Sequence, residues 1–471
     1  MIKNKGLKRI RIATIVIISL MIFILSGCGE KDSSKQTTTQ SNISVAPVKN
    51  EEEPTPTQEP DPIYYVEGVE LILTNDELVG YVGMAKNIEI EIIKEDELEY
   101  PQITYSSDNE EVATVTEEGT VIFKKEGSCI ITVNLSDYYM KDSISKSIRC
   151  TCMTPQIGND PQTIRNGGRV LQYESTLYYS GVKGLYKINL ADKNALKKHL
   201  FGEDYYDVDD RVFSLNLFAN DYIIYSYRGG IFKMDLSGEN ITQIADYYIV
   251  SDLIVYGDLI YFLGNKSRNG DATVITAIDI NGNEIYNYEV LYTIYGMQLY
   301  NNNLYFNSEI RLYNEKLGIG INKIDMGLSN VEQMKSDYFT NFKIHDDNIY
   351  YTSYEEGECG IYKISFTDDS KVKIIDGKIS NFIISNDKIY YFSTKTTEAS
   401  DNNYCNVYKV DITGKNNTQL MVDDHTRNLD AIFQTEQNIY IDQGVKRGVT
   451  LSTKILQQFD FEGNNLGVFF W

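Results

Sequence analysis

Tryptophan, histidine, proline and cysteine are scarce: one, three, eight and six copies in 471 residues. Each scarcity excludes something. His199, His345 and His425 lie in separate stretches, without a His-x-x-x-His or His-Glu pair. A histidine-built metal centre or a Ser/His/Asp triad therefore has no visible frame. Gly-x-Ser-x-Gly, the elbow of α/β hydrolases, is missing. Gly167-Gly168 and Gly229-Gly230 read as turns with no helix after them, so no phosphate-cradling loop is expected. Basic residues are also few, 44 lysines and arginines against 67 acids, for a net charge of −23. After the first eleven residues they form no run. Nucleic acid needs a basic footprint, so it is not an expected partner. Acidity of this kind keeps an exported protein soluble. No catalytic, cofactor or metal residue is assigned from the sequence, and the ligand-binding residues are left open.

Long apolar runs are missing too. Ile12–Leu25 is the longest, broken by Thr14 and Ser19. Fourteen helical residues reach about 21 Å, short of the ~30 Å hydrocarbon core. The run follows Lys3, Lys5, Lys8, Arg9 and Arg11 and precedes Leu25-Ser26-Gly27-Cys28. A basic segment, a short apolar segment and a small-residue site read as a signal peptide over residues 1–27. The last four residues resemble the bacterial lipobox. That resemblance implies cleavage before Cys28 and diacylation of its thiol, which would anchor the protein to the extracytoplasmic face of the cell membrane. Two acyl chains suffice for stable anchoring. Residues 28–62 are rich in Ser, Thr, Gln, Pro and charge and lack aromatics, so they read as a disordered tether.

Residues 63–153 read as a small β-sandwich. Ile88-Glu89-Ile90-Glu91-Ile92 alternates with period two, and strands are spaced by Ser/Asp/Asn and Gly turns. The order Tyr105-Ser106-Ser107-Asp108-Asn109, Val112-Ala113-Thr114-Val115, then Gly119-Thr120-Val121 is similar to the group 2 bacterial immunoglobulin-like domain. Tyr105 stands where that family usually has tryptophan. The resemblance implies the fold and a spacer role in a surface protein. With Cys28 acylated, five cysteines remain. Cys129 could pair with Cys150 or Cys152 if their strands are neighbours, but burial of all three as small apolar residues is the expected state.

From residue 165 onward one unit recurs. Its marker is an aliphatic residue followed by tyrosine: Leu177-Tyr178, Ile224-Tyr225, Ile260-Tyr261, Leu304-Tyr305, Ile349-Tyr350, Ile389-Tyr390 and Ile439-Tyr440. Successive tyrosines are 47, 36, 44, 45, 40 and 50 residues apart, the spacing of propeller blades. Turn pairs such as Asn220-Asp221, Gly257-Asp258, Asn301-Asn302, Asp346-Asp347 and Asn386-Asp387 precede the marker. These residues tolerate the positive φ angles of tight hairpins. A second strand, a turn such as Ser237-Gly238 or Thr413-Gly414, and a short fourth strand complete the unit. The expected fold is all-β, the sandwich being followed by a β-propeller over residues 154–471. Seven blades are expected. A degenerate unit in 154–168 or a split closing blade would make six or eight. The tyrosines should pack blade on blade, with their hydroxyls paired at the edge.

The repeat resembles the low-density-lipoprotein-receptor type of propeller and the TolB-like propellers, which share an Asp-x-x-Gly turn. Tyr350-Tyr351-Thr352-Ser353 comes nearest to the receptor signature. The resemblance implies fold and a tendency towards protein binding, with no ligand named. The acidic run Glu203–Asp210 lacks the glycine and closing glutamate of a calcium loop and reads as a solvated connection. The expected function is a lipid-anchored surface protein whose propeller engages a protein or cell-wall glycan. The alternative is a carbohydrate- or peptide-active enzyme with acids in the propeller funnel. Two carboxylates about 5–10 Å apart would mark the latter.

Overall fold

The structure is a computed structural model. It describes residues 65–470 apart from 182–183, 193–197, 202–212, 248, 266–272, 291–292, 313–314, 337–338, 355–356, 396–403, 422–426, 436 and 448–449. Cys28, the 203–210 acidic run and His425 lie outside the described residues. No helix among the described residues is long and apolar enough to cross a membrane.

Nine strands come first: β1 (Glu70–Leu73), β2 (Glu77–Tyr81), β3 (Ala85–Asn87), β4 (Ile90–Ile93), β5 (Gln102–Ser107), β6 (Ala113–Val115), β7 (Thr120–Phe123), β8 (Gly127–Ser136) and β9 (Ile144–Met153). They form sheets ordered β2-β9-β8-β5 and β3-β7-β6, with β1 paired to β4. Alternation decides which face is covered. In β8, Cys129, Ile131, Val133 and Leu135 point into the core and the residues between them do not. The Ser107–Asn109 turn is held by its own side chains. The Asp108 carboxylate accepts from Ile130 N at 2.7 Å, and Asn109 Oδ1 from Glu111 N at 3.2 Å. Cys129 lies directly opposite Cys150 across β8 and β9. Both thiols and that of Cys152 are free and buried. Burial and the neighbouring thiols push Cys150 up to about 12.

Seven four-stranded antiparallel sheets follow among the described residues, spanning 170–201, 213–246, 249–290, 293–335, 340–376, 379–421 and 427–470. Each takes four consecutive strands, the first innermost. Apolar clusters join sheet 1 to 2, 2 to 3, 3 to 4, 4 to 5, 5 to 6 and 6 to 7. A further cluster joins Val170, Leu177 and Tyr179 of the first sheet to Phe433 and Tyr440 of the last. The ring thus closes by side-chain packing, with no strand exchanged among the described residues. Residues 154–168 do not form a blade. They hold one bridge, Ile157 to Tyr256, and a short helix, α1 (Pro161–Arg165).

The recurrent tyrosines do what their chemistry suggests. Tyr178, Tyr261, Tyr305, Tyr350, Tyr390 and Tyr440 are buried and face the following sheet, the last of them across the ring closure. Tyr178 donates its hydroxyl to Leu236 O at 2.5 Å, Tyr261 to Met326 O at 2.5 Å and Tyr390 to Phe461 O at 2.9 Å. Each acceptor follows the aspartate of an outer turn in the next sheet. Sheet 2 departs from the expected register. Its hairpin turn has three residues, Ala219–Asp221, with Ala219 and Asn220 left-handed rather than Asn220 and Asp221. The extra residue slips the strand by one and flips its faces. Ile224 therefore faces sheet 3, while Tyr225 points back among the residues joining sheets 1 and 2.

The sandwich and the propeller share one core. Leu78, Met84, Val121 and Phe123 belong to the same buried cluster as Tyr256, Tyr261, Leu304 and Met326. Tyr256 donates to Val82 O, and Met326 N to Gly83 O at 3.2 Å. Two glycines permit the approach. A Cβ at Gly83 (φ +88°) would stand 2.5 Å from Asn302 O, and one at Gly257 (φ +63°) 2.4 Å from the Tyr81 ring.

Candidate functional site

The inner strands line the central channel, and helix α1 sits across it. Asp160 caps the helix, its carboxylate accepting from Thr163 N at 2.7 Å, and Pro161 takes the first position. Side-chain hydrogen bonds tie the helix to sheets 6 and 7, while its backbone also runs close to the inner strand of sheet 4. Thr163 Oγ1 donates to Gln434 O at 2.9 Å, and Asn166 Nδ2 to Gln434 Oε1 at 2.9 Å and Ile384 O at 3.1 Å, all on sheets 6 and 7. A cavity of about 290 Å³ is left between the helix and sheets 3–5.

Its wall is made by an irregularity that the inner strands repeat. Sheets 2–5 each carry a bulge at the same point, where Ser214, Asp252, Gly296 and Asn341 adopt φ of 53°, 49°, 65° and 45°. Bulges re-aim side chains. Asp252, Gly296 and Asn341 line the cavity. Two residues on from each bulge, Asn216 and Gln298 stitch neighbouring strands. Asn216 binds Leu253 O and Val255 N at 3.0 and 3.2 Å, and Gln298 binds Phe342 O and Ile344 N. Lys343 holds the same register in sheet 5 but stitches nothing.

Three charges meet at the cavity: Arg165 from the helix, Asp252 from sheet 3 and Lys343 from sheet 5. Asp252 and Lys343 sit deep among protein atoms, each keeping one face on the cavity. Burial raises the Asp252 carboxyl against the pull of Lys343. Burial brings the Lys343 ammonium down to about 8, opposed by Asp252 and assisted by Arg165. The Arg165 guanidinium is 5.7 Å from the Tyr300 ring centroid. Asn307 Nδ2 donates to Phe339 O at 2.7 Å, while its buried Oδ1 has no partner among the described residues.

The sequence missed this site, although a signal existed. Asp252 and Lys343 stand next to aliphatic or aromatic residues on inner strands, as in Asp252-Leu253-Ile254 and Phe342-Lys343-Ile344. Other candidates fare differently. Gly167-Gly168 follows α1, and a Cβ at Gly168 would stand 3.1 Å from Ser214 Cα. His199 packs its ring on Tyr186. His345 gains neighbours that spacing cannot show. Its Nε2 is 2.9 Å from Asp387 Oδ1 and 3.4 Å from Asp346 Oδ2, a trio able to hold a divalent cation. A cleft between sheets 1 and 2, of about 550 Å³, is lined by Tyr178, Lys187 and Ser237. Two of its polar groups are already paired, Lys187 Nζ with Ser237 O at 2.7 Å and Tyr178 with Leu236 O.

No family signature and no curated relative matches the chain. Similar solved structures are propellers. A protein described as a putative TolB from Agrobacterium tumefaciens is 10% identical, with 58% of this chain and 84% of that one covered at a TM-score of 0.30. A quinoprotein alcohol dehydrogenase-like protein from Bacteroides thetaiotaomicron is 14% identical, with 73% and 94% covered at 0.35. The propeller domain of the Trilobed protease from Pyrococcus furiosus is 12% identical, with 64% and 98% covered at 0.41. The likeness is one of fold, and a fold shared among a TolB-like protein, a dehydrogenase-like protein and a protease does not select a function.

Proposed function

We propose that this chain is an envelope-facing binding protein, held to the membrane by lipid on Cys28, whose propeller channel receives a unit of a cell-wall glycan or of a protein. The observation that carries the reading is the cavity beside α1. Charged groups stand there at positions where the repeat needs none. Burying Arg165, Asp252 and Lys343 opposes folding, so their presence calls for a reason other than stability. A pocket with a few convergent polar groups is the usual form of a small-ligand site. The described lining holds one carboxylate, Asp252, whereas glycoside hydrolysis uses a pair. This favours binding over catalysis. The sandwich, sharing a core with sheets 3 and 4, would present the propeller as one rigid piece.

Two measurements test the reading. Cys28→Ala should move the protein from the membrane fraction to the soluble fraction, and retention in the pellet would exclude the lipid anchor. Polysaccharide and surface proteins prepared from the producing cells should bind the immobilised chain saturably, and Lys343→Met or Arg165→Met should abolish that binding. Binding that both variants leave intact would place the ligand elsewhere.

A further inference from the structure

We propose that the channel cavity is a subsite for one carboxylate on a hydroxyl-bearing ligand, an acidic sugar residue, with Arg165 and Lys343 holding the carboxylate and Asn307 a hydroxyl. This inference rests on the channel being the binding site and names what enters it.

Three observations lead there. The first is unspent donors. Among the described residues nothing accepts a hydrogen bond from the Lys343 ammonium, although it sits deep in the channel with three N–H groups to place. Its nearest carboxylate, Asp252, acts on it through space and is occupied by Met297 N and Ser251. The second is an unspent acceptor. Asn307 is 2% exposed and lines the cavity, and its Oδ1 meets no donor. A buried amide oxygen without a donor costs roughly 1–3 kcal/mol, so a ligand hydroxyl arriving there relieves an existing deficit. The fixed donation of Nδ2 to Phe339 O settles which amide atom is which.

The third is charge balance. Among its lining residues two cations face one carboxylate, within a chain whose net charge is −23, and Asp160, outside the lining, offsets part of the Arg165 charge. One carboxylate completes that balance. A phosphate dianion would exceed it and meet Asp252 on the opposite wall. A neutral sugar would leave both cations without an acceptor. At about 290 Å³ the cavity is at the small end for ligand sites, which suits one sugar residue rather than a chain of them.

The test is calorimetric titration of the full chain in detergent with glucuronate, glucose and inorganic phosphate. Glucuronate should bind with one-to-one saturation, about tenfold or more tighter than glucose or phosphate, as expected for charge-assisted hydrogen bonds. Lys343→Met should bring glucuronate to the level of glucose. Asn307→Leu should weaken both sugars by a similar factor. Between pH 7 and 9 the glucuronate affinity should fall about tenfold as the ammonium loses its proton. Equal affinity for glucuronate and glucose, tighter binding of phosphate, or no sugar binding at all overturns the proposal. These outcomes on the unmodified protein do not depend on any variant folding. The channel reading has its own test, because a wall polymer or protein displaced by Lys343→Met or Arg165→Met would keep the channel as the site while the acidic-sugar class fell.

Discussion

Most of the seven sheets are alike where they meet one another, sheet 2 apart, and they are unlike where they meet the channel. At the outer rim, one device recurs. An aspartate turns the chain between the third and fourth strands, and the backbone carbonyl after it takes a tyrosine hydroxyl from the sheet before. Leu236, Met326 and Phe461 are such acceptors. At the inner rim, a bulge recurs but its occupant changes: serine, aspartate, glycine, asparagine. The contrast separates scaffold from site. A residue that every sheet needs is there for packing, and one that a single sheet carries at the same register is free to serve a ligand.

The comparison breaks most sharply at a rim tyrosine. Tyr261 is fully buried, and its hydroxyl ties sheet 3 to the turn of sheet 4. Tyr261→Ala should cost about 3–5 kcal/mol in denaturant unfolding, as for other large aromatic truncations. Tyr261→Phe should cost about 1–2 kcal/mol, because it leaves a buried carbonyl unpaired. Similar costs for the two variants would mean that the hydroxyl, and not the ring, holds the sheets together. The junction with the sandwich comes next. Gly257→Val puts a branched side chain into a left-handed turn against the Tyr81 ring. Strain and overpacking together should cost about 2–4 kcal/mol, with the sandwich cleaved by protease before the propeller. Cleavage of both at one rate would deny that the two are separable.

At the inner rim the sign should reverse. Lys343→Met removes a desolvated charge that Asp252 offsets only in part, and with Arg165 still facing Asp252 stability at pH 7 should hold or rise by about 1 kcal/mol. The pH dependence sharpens this. The folded state holds the Lys343 proton more weakly than the unfolded chain, with a value near 8 against an ordinary 10.5. The cost of the buried charge is therefore present below about pH 8 and relieved as pH rises from there towards 10.5. The advantage of the methionine variant should shrink between pH 7 and pH 9.5. A constant advantage would show that packing, not charge, accounts for it.

The two rims were not equally legible. The outer one could be read because it repeats: the Ile-Tyr marker, the turn pairs and the Asp-x-x-Gly turns set the sheets and their order. The marker misled once, in sheet 2. There the turn from Ala219 to Asp221 is one residue longer, and a single-residue slip leaves the spacing of Tyr225 ordinary while reversing its face. The inner rim could not be read by the same means. Arg165 comes from a five-residue helix too short to show a period, Asp252 and Lys343 come from strands ninety-odd positions apart, and Asn307 from a second strand. Only closure of the ring brings them together. His345 and Asp387 meet for the same reason, on hairpins of adjacent sheets.

The smallest effect expected belongs to the outer turns themselves. The Asp235 carboxylate accepts from Ser237 Oγ at 2.5 Å, Glu239 N at 2.8 Å and Asn240 Nδ2 at 2.8 Å, which bring it down to about 2. Asp279 and Asp460 are lowered by the same kind of turn. A carboxylate depressed in the folded state stabilises it above its unfolded value, near 4, and that contribution is lost as pH falls from about 4 to about 2. Asp235→Asn keeps one acceptor oxygen and loses the charge. It should be slightly less stable than the parent at pH 7, and the two unfolding curves should converge near pH 2, where the parent's carboxylate is half protonated. The turn is fully solvated, so the difference should also narrow in high salt. Curves that stay equally separated at pH 7 and pH 2 would mean that the aspartate acts through shape alone. The recurrent outer turn would then be a matter of hydrogen-bond geometry, and ionised groups would matter only at the inner rim.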